Sequence, residues 1–453
     1  MTELAVLIPE ALVLVAALAA LFAERLPGGD RTAARLGAGL AGAAAVCVAL
    51  IGVRDPIANG TLAYDAVARD ARLAVAALSA LYLLWLSGSA LDRVREMAAF
   101  ALFSALGGML MASARDLMVL FIALELGTMP AYVMMGYERE DARTLEGSLK
   151  YYLLSMTTSL VMLYGFSLIF GLTGTTRIAE AGSLAPAGLL GAFAAVFALT
   201  GLFAKLSAAP FHFWTPDAYA GAPASAVAFV STVPKVAGAA ALFRLAQALE
   251  VGEVVSLFLG AAALASMLLG NFGAYPQRDI RRLMAYSGIA HSGYVLLALG
   301  AGSPSAIAYA VIYAIPSMAV MLLAAEEGAA VEDWSGLVQR RPAAAWALVV
   351  LLLSLVGVPP MAGFFGKLSV FGAALHAGRT ALVVVAVLMS VVSAGYYFRL
   401  IRPAFFAEGA PEVAEDRAGA TWASTVVFVA ATALTLLLPL LFGALESLPR
   451  IGA

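Results

Sequence analysis

A single cysteine, Cys47, and three histidines, His212, His291 and His376, stand in 453 residues. These are too few soft ligands for an iron–sulfur cluster or a structural zinc site, so the chain is expected to hold no metal and no redox cofactor of its own. Charge is also scarce. Asp, Glu, Lys and Arg make up 12% of the chain, the net charge is −2 and no basic run occurs, which excludes a nucleic-acid partner. Behind Met1, Thr2 and Glu3 there is neither a positive stretch nor a small-residue cleavage site, so the first apolar run is expected to remain as a spanning helix. What is present is apolar: 62% of residues are hydrophobic, and the mean hydropathy of +0.93 describes the whole length rather than one patch. Lipid is the expected surrounding, with no room for a soluble catalytic domain.

A spanning helix needs about 20 mostly apolar residues, and interruption by charged or turn clusters divides the chain into fourteen such segments. Spans 1 to 6 run near Leu4–Phe22, Ala33–Val53, Leu73–Ala90, Met97–Ala114, Leu117–Tyr137 and Leu149–Leu172. Span 7, from Gly188 to about Tyr219, meets Pro210 and is expected to be broken. Spans 8 to 11 follow near Ala224–Gln247, Val254–Ala274, Leu283–Gly300 and Ser305–Ala325. Span 12, Ala343 to His376, is interrupted by Gly357, Pro359, Pro360 and Gly363, and spans 13 and 14 run near Ala381–Leu400 and Thr421–Leu445. Odd-numbered loops hold 16 Lys and Arg, and even-numbered loops with the tails hold 8. Since cytoplasmic loops carry the excess, both termini are expected on the outer, periplasmic side.

The fold class expected is an all-α membrane protein of about fourteen transmembrane helices. Broken spans 7 and 12 lie five apart and so cross in opposite directions, which predicts two inverted five-helix repeats, residues 97–250 and 251–403. Residues 1–96 would be flanking helices, and 404–453 a loop and the last helix.

Four ionisable residues fall inside spans. Glu125 lies on the order of 12 Å into span 5 at ~1.5 Å per residue, too deep for a short side chain to snorkel. Lys205 just precedes the Pro210 break, where freed carbonyls and water are expected to hold its charge. Lys235 is well inside span 8, and Lys367 follows the second break. Each such charge costs at least ~2.5–3.5 kcal/mol on insertion scales. A Glu125–Lys205 pair locking two helices is the bland explanation, but Lys235 and Lys367 have no second acid at comparable depth. A desolvated lysine without a carboxylate partner exchanges its proton readily, so the set suits a proton relay. His291, with Tyr294 one turn away, reads equally as relay or as a satisfied core histidine. His212, flanked by Phe211, Phe213 and Trp214, is a relay or an interfacial anchor, and His376 is neither. Glu10 reads as interfacial and Cys47 as packing. Gly37-Ala-Gly-Leu-Ala-Gly42 spells a dinucleotide glycine pattern inside an apolar span with no preceding strand, and Gly366-Lys367 lacks the rest of a phosphate loop, so neither is a nucleotide site.

Roughly from Met97 to Arg402 the chain resembles the antiporter-like, proton-translocating membrane subunits of respiratory complex I, the NADH-quinone oxidoreductase. The most specific string is Lys205-Leu-Ser-Ala-Ala-Pro-Phe-His-Phe-Trp-Thr-Pro-Asp-Ala-Tyr-Ala-Gly-Ala-Pro223. It is similar to the family's broken seventh helix and the loop after it. Leu124-Glu125-Leu126 with Tyr132 resembles the fifth-helix glutamate motif, and Glu146-Gly-Ser-Leu-Lys-Tyr-Tyr-Leu-Leu154 the start of the sixth helix. Arg278-Asp-Ile-Arg-Arg-Leu-Met-Ala-Tyr-Ser287 resembles the approach to the tenth helix, and Gly357-Val-Pro-Pro-Met-Ala-Gly-Phe-Phe-Gly-Lys367 the broken twelfth. Trp214-Thr-Pro-Asp217 and Lys235 look like the subunit N branch, from which Ala220 departs where an acid is common.

The resemblance implies a translocase subunit with no cofactor in this chain, in which Glu125, Lys205, Lys235 and Lys367 relay protons with His291 and His212 as further candidates. FMN, iron–sulfur clusters, NADH and quinone would belong to partner subunits. The implied partners are neighbouring antiporter-like membrane subunits, the hydrophilic redox arm indirectly, the lipid bilayer, water and protons, in a bacterial plasma membrane. A cation/proton antiporter without a redox partner, and the equivalent subunit of a membrane-bound hydrogenase, are the alternatives.

Overall fold

A computed structural model describes residues 3–22, 29–138, 141–182, 184–249, 253–407 and 421–446. Two short helices, α1 (Glu3–Val6) and α2 (Ile8–Leu21), precede α3 (Asp30–Ile51). An antiparallel hairpin of β1 (Arg54–Ile57) and β2 (Leu62–Tyr64) follows. The next helices are α4 (Ala66–Gly88), α5 (Val94–Ser113), α6 (Leu117–Met135), α7 (Ala142–Thr173) and α8 (Gly188–Leu206). Then come α9 (Trp214–Gly221), α10 (Ala224–Val230), α11 (Val233–Ala248), α12 (Glu253–Ala274), α13 (Ile280–Gly300) and α14 (Ser305–Glu327). The chain continues through α15 (Leu337–Arg340), α16 (Pro342–Val356), α17 (Ala362–His376), α18 (Thr380–Phe406) and α19 (Trp422–Glu446).

Every expected span is helical, and twelve helices among the described residues are long and apolar enough to cross a membrane. The first span is the shorter α2, and the twelfth is divided between α16 and α17. The seventh divides into α8 and α9 at Pro210, as expected. The eighth, read as plain, also divides: α10 ends at Val230, and Thr232 leaves helical geometry with φ −127° and ψ −69°. Pro234 explains this. In an unbroken helix its ring would meet the carbonyl four residues back, at Val230, so the helix restarts with the proline in its first turn. The terminal residues behind the orientation argument, and Arg25, Arg139, Arg417 and Arg450 of the charge count, lie outside the described residues.

Aspartates start several of these helices by accepting from the first free N–H groups. Asp65 caps α4 through Ala68, Asp116 caps α6 through Met118 and Val119, and Asp141 caps α7 through Arg143. Asp279 caps α13 through Arg281 and Arg282. Asp65 also receives both guanidinium nitrogens of Arg244, at 2.7 and 2.9 Å, which ties the end of α11 to the start of α4. Burial works to raise the Asp65 carboxyl, yet the bonds and charge of Arg244, the Ala68 N–H and the charge of Arg115 hold it below its ordinary value.

The core lies along α10–α11, α13 and α14, whose apolar windows are 94%, 89% and 89% buried. By contrast, α7 and α18 are one-third buried and turn Leu153, Leu160, Tyr164, Val387, Val391 and Phe398 outward, as a lipid-facing helix does. Small residues bring the inner helices close. A Cβ on Gly107 of α5 would stand 2.2 Å from the Gly127 nitrogen of α6, so only glycine permits that crossing, and Ser104 donates to the Gly127 carbonyl there at 2.6 Å.

A correction concerns Glu10. The helix α4 starts at Ala66 rather than Leu73, which places Arg72 inside it. Arg72 is fully buried and makes a two-pronged bond to Glu10, 2.7 Å to each oxygen, with its guanidinium carbon 4.1 Å from the Tyr64 ring centre. Glu10 is therefore half of a buried ion pair between α2 and α4, not an interfacial residue.

Candidate proton-transfer site

Glu125, Lys205, Lys235, Lys367 and His291 are all buried, on α6, α8, α11, α17 and α13. None of the four charged side chains takes part in an ion pair among the described residues, so the expected direct Glu125–Lys205 contact is absent. Lys205 Nζ instead donates to Thr128 Oγ1 at 2.7 Å, and Thr128 donates on to the Leu124 carbonyl at 2.5 Å. Thr128 lies one turn from Glu125 on the same helix, so the lysine head reaches the carboxylate's neighbourhood without touching it. Both Glu125 carboxylate oxygens are buried with no hydrogen-bond partner among the described residues. Nor do the carbonyls freed at the first break hold Lys205, as the sequence suggested. The hydroxyl of Ser292 donates to the Leu206 carbonyl, and Ser266 Oγ accepts from the Ala209 N–H at 2.9 Å.

Lys235 is the isolated member, since its Nζ has no hydrogen-bond partner among the described residues. It lies 5.6 Å from the centre of the Tyr313 ring, a cation–π distance. A Cβ on Gly288 would stand 2.8 Å from Lys235 Nζ and 2.9 Å from Tyr313 Oη, so the missing side chain there makes the room that both heads occupy.

Lys367 is the best-held of the lysines. Its Nζ donates to the carbonyls of Leu355 and Val356 at 3.0 and 2.8 Å and to Ser390 Oγ at 2.7 Å. Those carbonyls end α16, where the chain turns away at Gly357 with φ +90° and leaves them without a helical partner. A cation at the carbonyl end of a helix is favoured by the helix dipole as well as by hydrogen bonds. The head also lies 5.1 Å from the centre of the Tyr294 ring.

His291 shares an aromatic neighbour with each of Lys235 and Lys367, its ring lying 4.7 Å from that of Tyr313 and 5.6 Å from that of Tyr294. Its Nδ1 is 2.8 Å from Tyr309 Oη and its Nε2 3.2 Å from Tyr397 Oη, and Tyr397 Oη is 2.5 Å from Ser287 Oγ. The structure does not bring His212 into this cluster. It is buried in the turn between α8 and α9, against Phe213 at 4.5 Å between ring centres. His376 ends α17 and bonds the Gly372 carbonyl at 2.7 Å. Thr128, Ser390, Tyr309, Tyr313 and Tyr397 were not singled out in the sequence. Tyr309 and Tyr313 carried a signal, since four-residue spacing puts both hydroxyls on one face of an apolar helix. Three ammonium groups and one carboxylate buried in an apolar bundle, linked by hydroxyls and an imidazole, are chemically equipped to hold and pass protons.

Residues 114–393 match the family model described as NADH:quinone oxidoreductase/Mrp antiporter, TM. The chain is 40% identical over 388 residues to NADH-quinone oxidoreductase subunit N of Sphingopyxis alaskensis, a match covering 81% of this chain and 80% of that one. Among solved structures, a chain of respiratory complex I from Thermus thermophilus with bound aureothin superposes with a TM-score of 0.82 at 33% identity, covering 96% of this chain and 97% of that one. A chain of the Mrp complex from Dietzia gives 0.87 at 22% identity, covering 98% and 96%, a likeness of fold alone.

Proposed function

Because this chain belongs to the NADH:quinone oxidoreductase/Mrp antiporter membrane family, and within it to the subunit N of NADH-quinone oxidoreductase, we propose that its buried lysines are the route by which protons cross it. It is a multi-pass, proton-translocating membrane subunit of that complex. The observation that carries the relay reading is the placement of Lys205, Lys235 and Lys367 deep in the bundle with no carboxylate paired to any of them among the described residues. Charges held at that cost serve a moving ion better than a static lock.

In this reading Glu125 favours a protonated Lys205 from one turn beyond Thr128. A change driven by redox chemistry in other subunits weakens that influence, and the proton moves toward Lys235. From there it passes the His291 cluster to Lys367 and leaves on the outer side. Moving one charge against ~100 mV needs about 2.3 kcal/mol, a size within reach of a changed buried electrostatic contact. His212, in the turn that follows α8 and outside this cluster, is a further carrier in this reading.

The divided seventh and twelfth spans, five apart, support a pair of inverted repeats over residues 97–250 and 251–403. The loop charge bias supports termini on the outer face of a bacterial plasma membrane. FMN, iron–sulfur clusters, NADH and quinone belong in this reading to partner subunits. Neighbouring antiporter-like subunits share the membrane with this chain, and the hydrophilic redox arm acts on it indirectly. The test is Lys235→Ala in the assembled complex, reconstituted in liposomes. Redox-coupled proton uptake should fall at least about tenfold, and normal uptake by an intact complex would sink the relay.

A further inference from the structure

Neutral histidine offers one N–H donor and one acceptor, so a ring bonded at both nitrogens has one neighbour donating and one accepting. His291 is such a ring, with Tyr309 Oη at Nδ1, Tyr397 Oη at Nε2 and Ser287 Oγ beyond Tyr397. All four side chains come from the most buried part of the bundle or from the face of α18 turned into it, and all four are buried. The chain Ser287–Tyr397–His291–Tyr309 is therefore a continuous hydrogen-bonded line through three helices. Each lysine approaches the line through an aromatic neighbour of His291: the head of Lys235 is 5.6 Å from the centre of the Tyr313 ring, itself 4.7 Å from the imidazole, and the head of Lys367 is 5.1 Å from the Tyr294 ring, itself 5.6 Å from it. Ser287 precedes Gly288, against which the head of Lys235 rests, and the ring of Tyr309 packs on Gly366, the residue before Lys367. A Cβ at Gly366 would stand 3.0 Å from that ring.

We propose that Tyr309 and Tyr397 are proton carriers that make His291 a two-sided transfer group between Lys235 and Lys367. This rests on the relay reading above and names the side chains that carry its step from Lys235 to Lys367. In one polarity Ser287 donates to Tyr397, Tyr397 donates to Nε2, and Nδ1–H donates to Tyr309. A proton arriving at Ser287 Oγ sends the serine's own proton to Tyr397, that of Tyr397 to Nε2, and that of Nδ1 to Tyr309, whose hydroxyl proton leaves toward Lys367. Each O–H or N–H bond broken is matched by one formed, no electron moves, and one proton crosses. The line is left with its polarity reversed, and the hydroxyls and the imidazole tautomer turn over before the next transfer. Tyrosine is required because phenylalanine fills the same space and carries no proton.

Tyr82 of α4 supplies the control. It is equally buried, but its hydroxyl has no hydrogen-bond partner among the described residues and belongs to no part of the line. The assembled complex carrying Tyr309→Phe, Tyr397→Phe or Tyr82→Phe is reconstituted in liposomes, and NADH-driven proton uptake is measured in H2O and D2O beside Lys235→Ala. Tyr309→Phe and Tyr397→Phe should each lower uptake at least about tenfold and enlarge the solvent isotope effect, as loss of a positioned proton-transfer group does. Tyr82→Phe should change neither. Parent-level uptake in Tyr309→Phe and Tyr397→Phe, with Lys235→Ala still impaired, overturns the carrier role and leaves the lysine relay standing. Equal losses in all three tyrosine variants mark damaged packing and also overturn it. Normal uptake in Lys235→Ala removes the relay and this inference together.

Discussion

At the interrupted seventh span, α8 and α9, the lysine precedes the break; at the interrupted twelfth, α16 and α17, it follows. Lys205 reaches away from its own span, to a hydroxyl on α6 one turn from a carboxylate, while the carbonyl freed at its break is taken by Ser292. Lys367 reaches back to its own span and takes the freed carbonyls itself, with Ser390 of α18 completing the set. One break thus leaves its lysine answerable to a neighbouring acid, and the other fixes its lysine to the backbone. In the relay reading the first suits a step governed by charge elsewhere. The second suits a holding site whose affinity the helix itself sets.

The sharpest way to break this comparison is arginine, which keeps the charge but does not readily deprotonate. Lys205→Arg and Lys367→Arg in the intact complex should each depress coupled proton uptake about a hundredfold, the scale of losing a proton-transfer group. Retained uptake in either would make that residue a structural cation and end the symmetry between the breaks. Removing single acceptors should sharpen the contrast. Thr128→Val deletes the one hydrogen bond that Lys205 makes among the described residues and should lower uptake about tenfold, the worth of a hydrogen bond to a charged group. Ser390→Ala leaves Lys367 two acceptors of three and should cost no more than a few-fold; the reverse order in the same assay would refute the assignment of a loosely and a firmly held lysine.

The smallest effect concerns the frame rather than the lysines. Asp65→Ala removes the cap of α4 and should lower stability by about 1 kcal/mol, read as an earlier melting transition of the purified complex. The parent has its own acid dependence. Because the folded state holds the Asp65 carboxyl below its ordinary value of 3.8, the stabilisation is complete above that value and is lost as pH falls through the depressed one. The difference in melting between parent and variant should therefore narrow as the medium is acidified below about pH 4. A gap that widens would refute the ionic part of the cap.

What was legible in the sequence came from rarity. A charge in an apolar run is conspicuous, so Glu125, Lys205, Lys235 and Lys367 stood out before any fold was known, and Pro210 and Pro359-Pro360 marked two breaks. Pro234 hid the third, because the apolar run continues on both sides and a proline can sit in a helix's first turn while the turns after it stay regular. Arg72 was missed because it lies one residue before the expected start of its span, where an arginine reads as a loop charge; only its partner Glu10, 62 residues away, reveals the pair. The tyrosines were harder to single out, because the spacing that places Tyr309 and Tyr313 on one face says nothing of their partners. Tyrosine is common in membrane helices, and what distinguishes Tyr309 and Tyr397 is a shared imidazole between them, which no periodicity encodes.

The head of Lys367 brings three hydrogens to three acceptors, two of them main-chain carbonyls at the end of α16. A neutral amine brings only two. Each time this side chain is neutral, one acceptor of that set goes without its lysine donor, and the join between the halves of the twelfth span has one fewer strut. The occupancy of a single hydrogen is thereby written into the stiffness of a helix hinge.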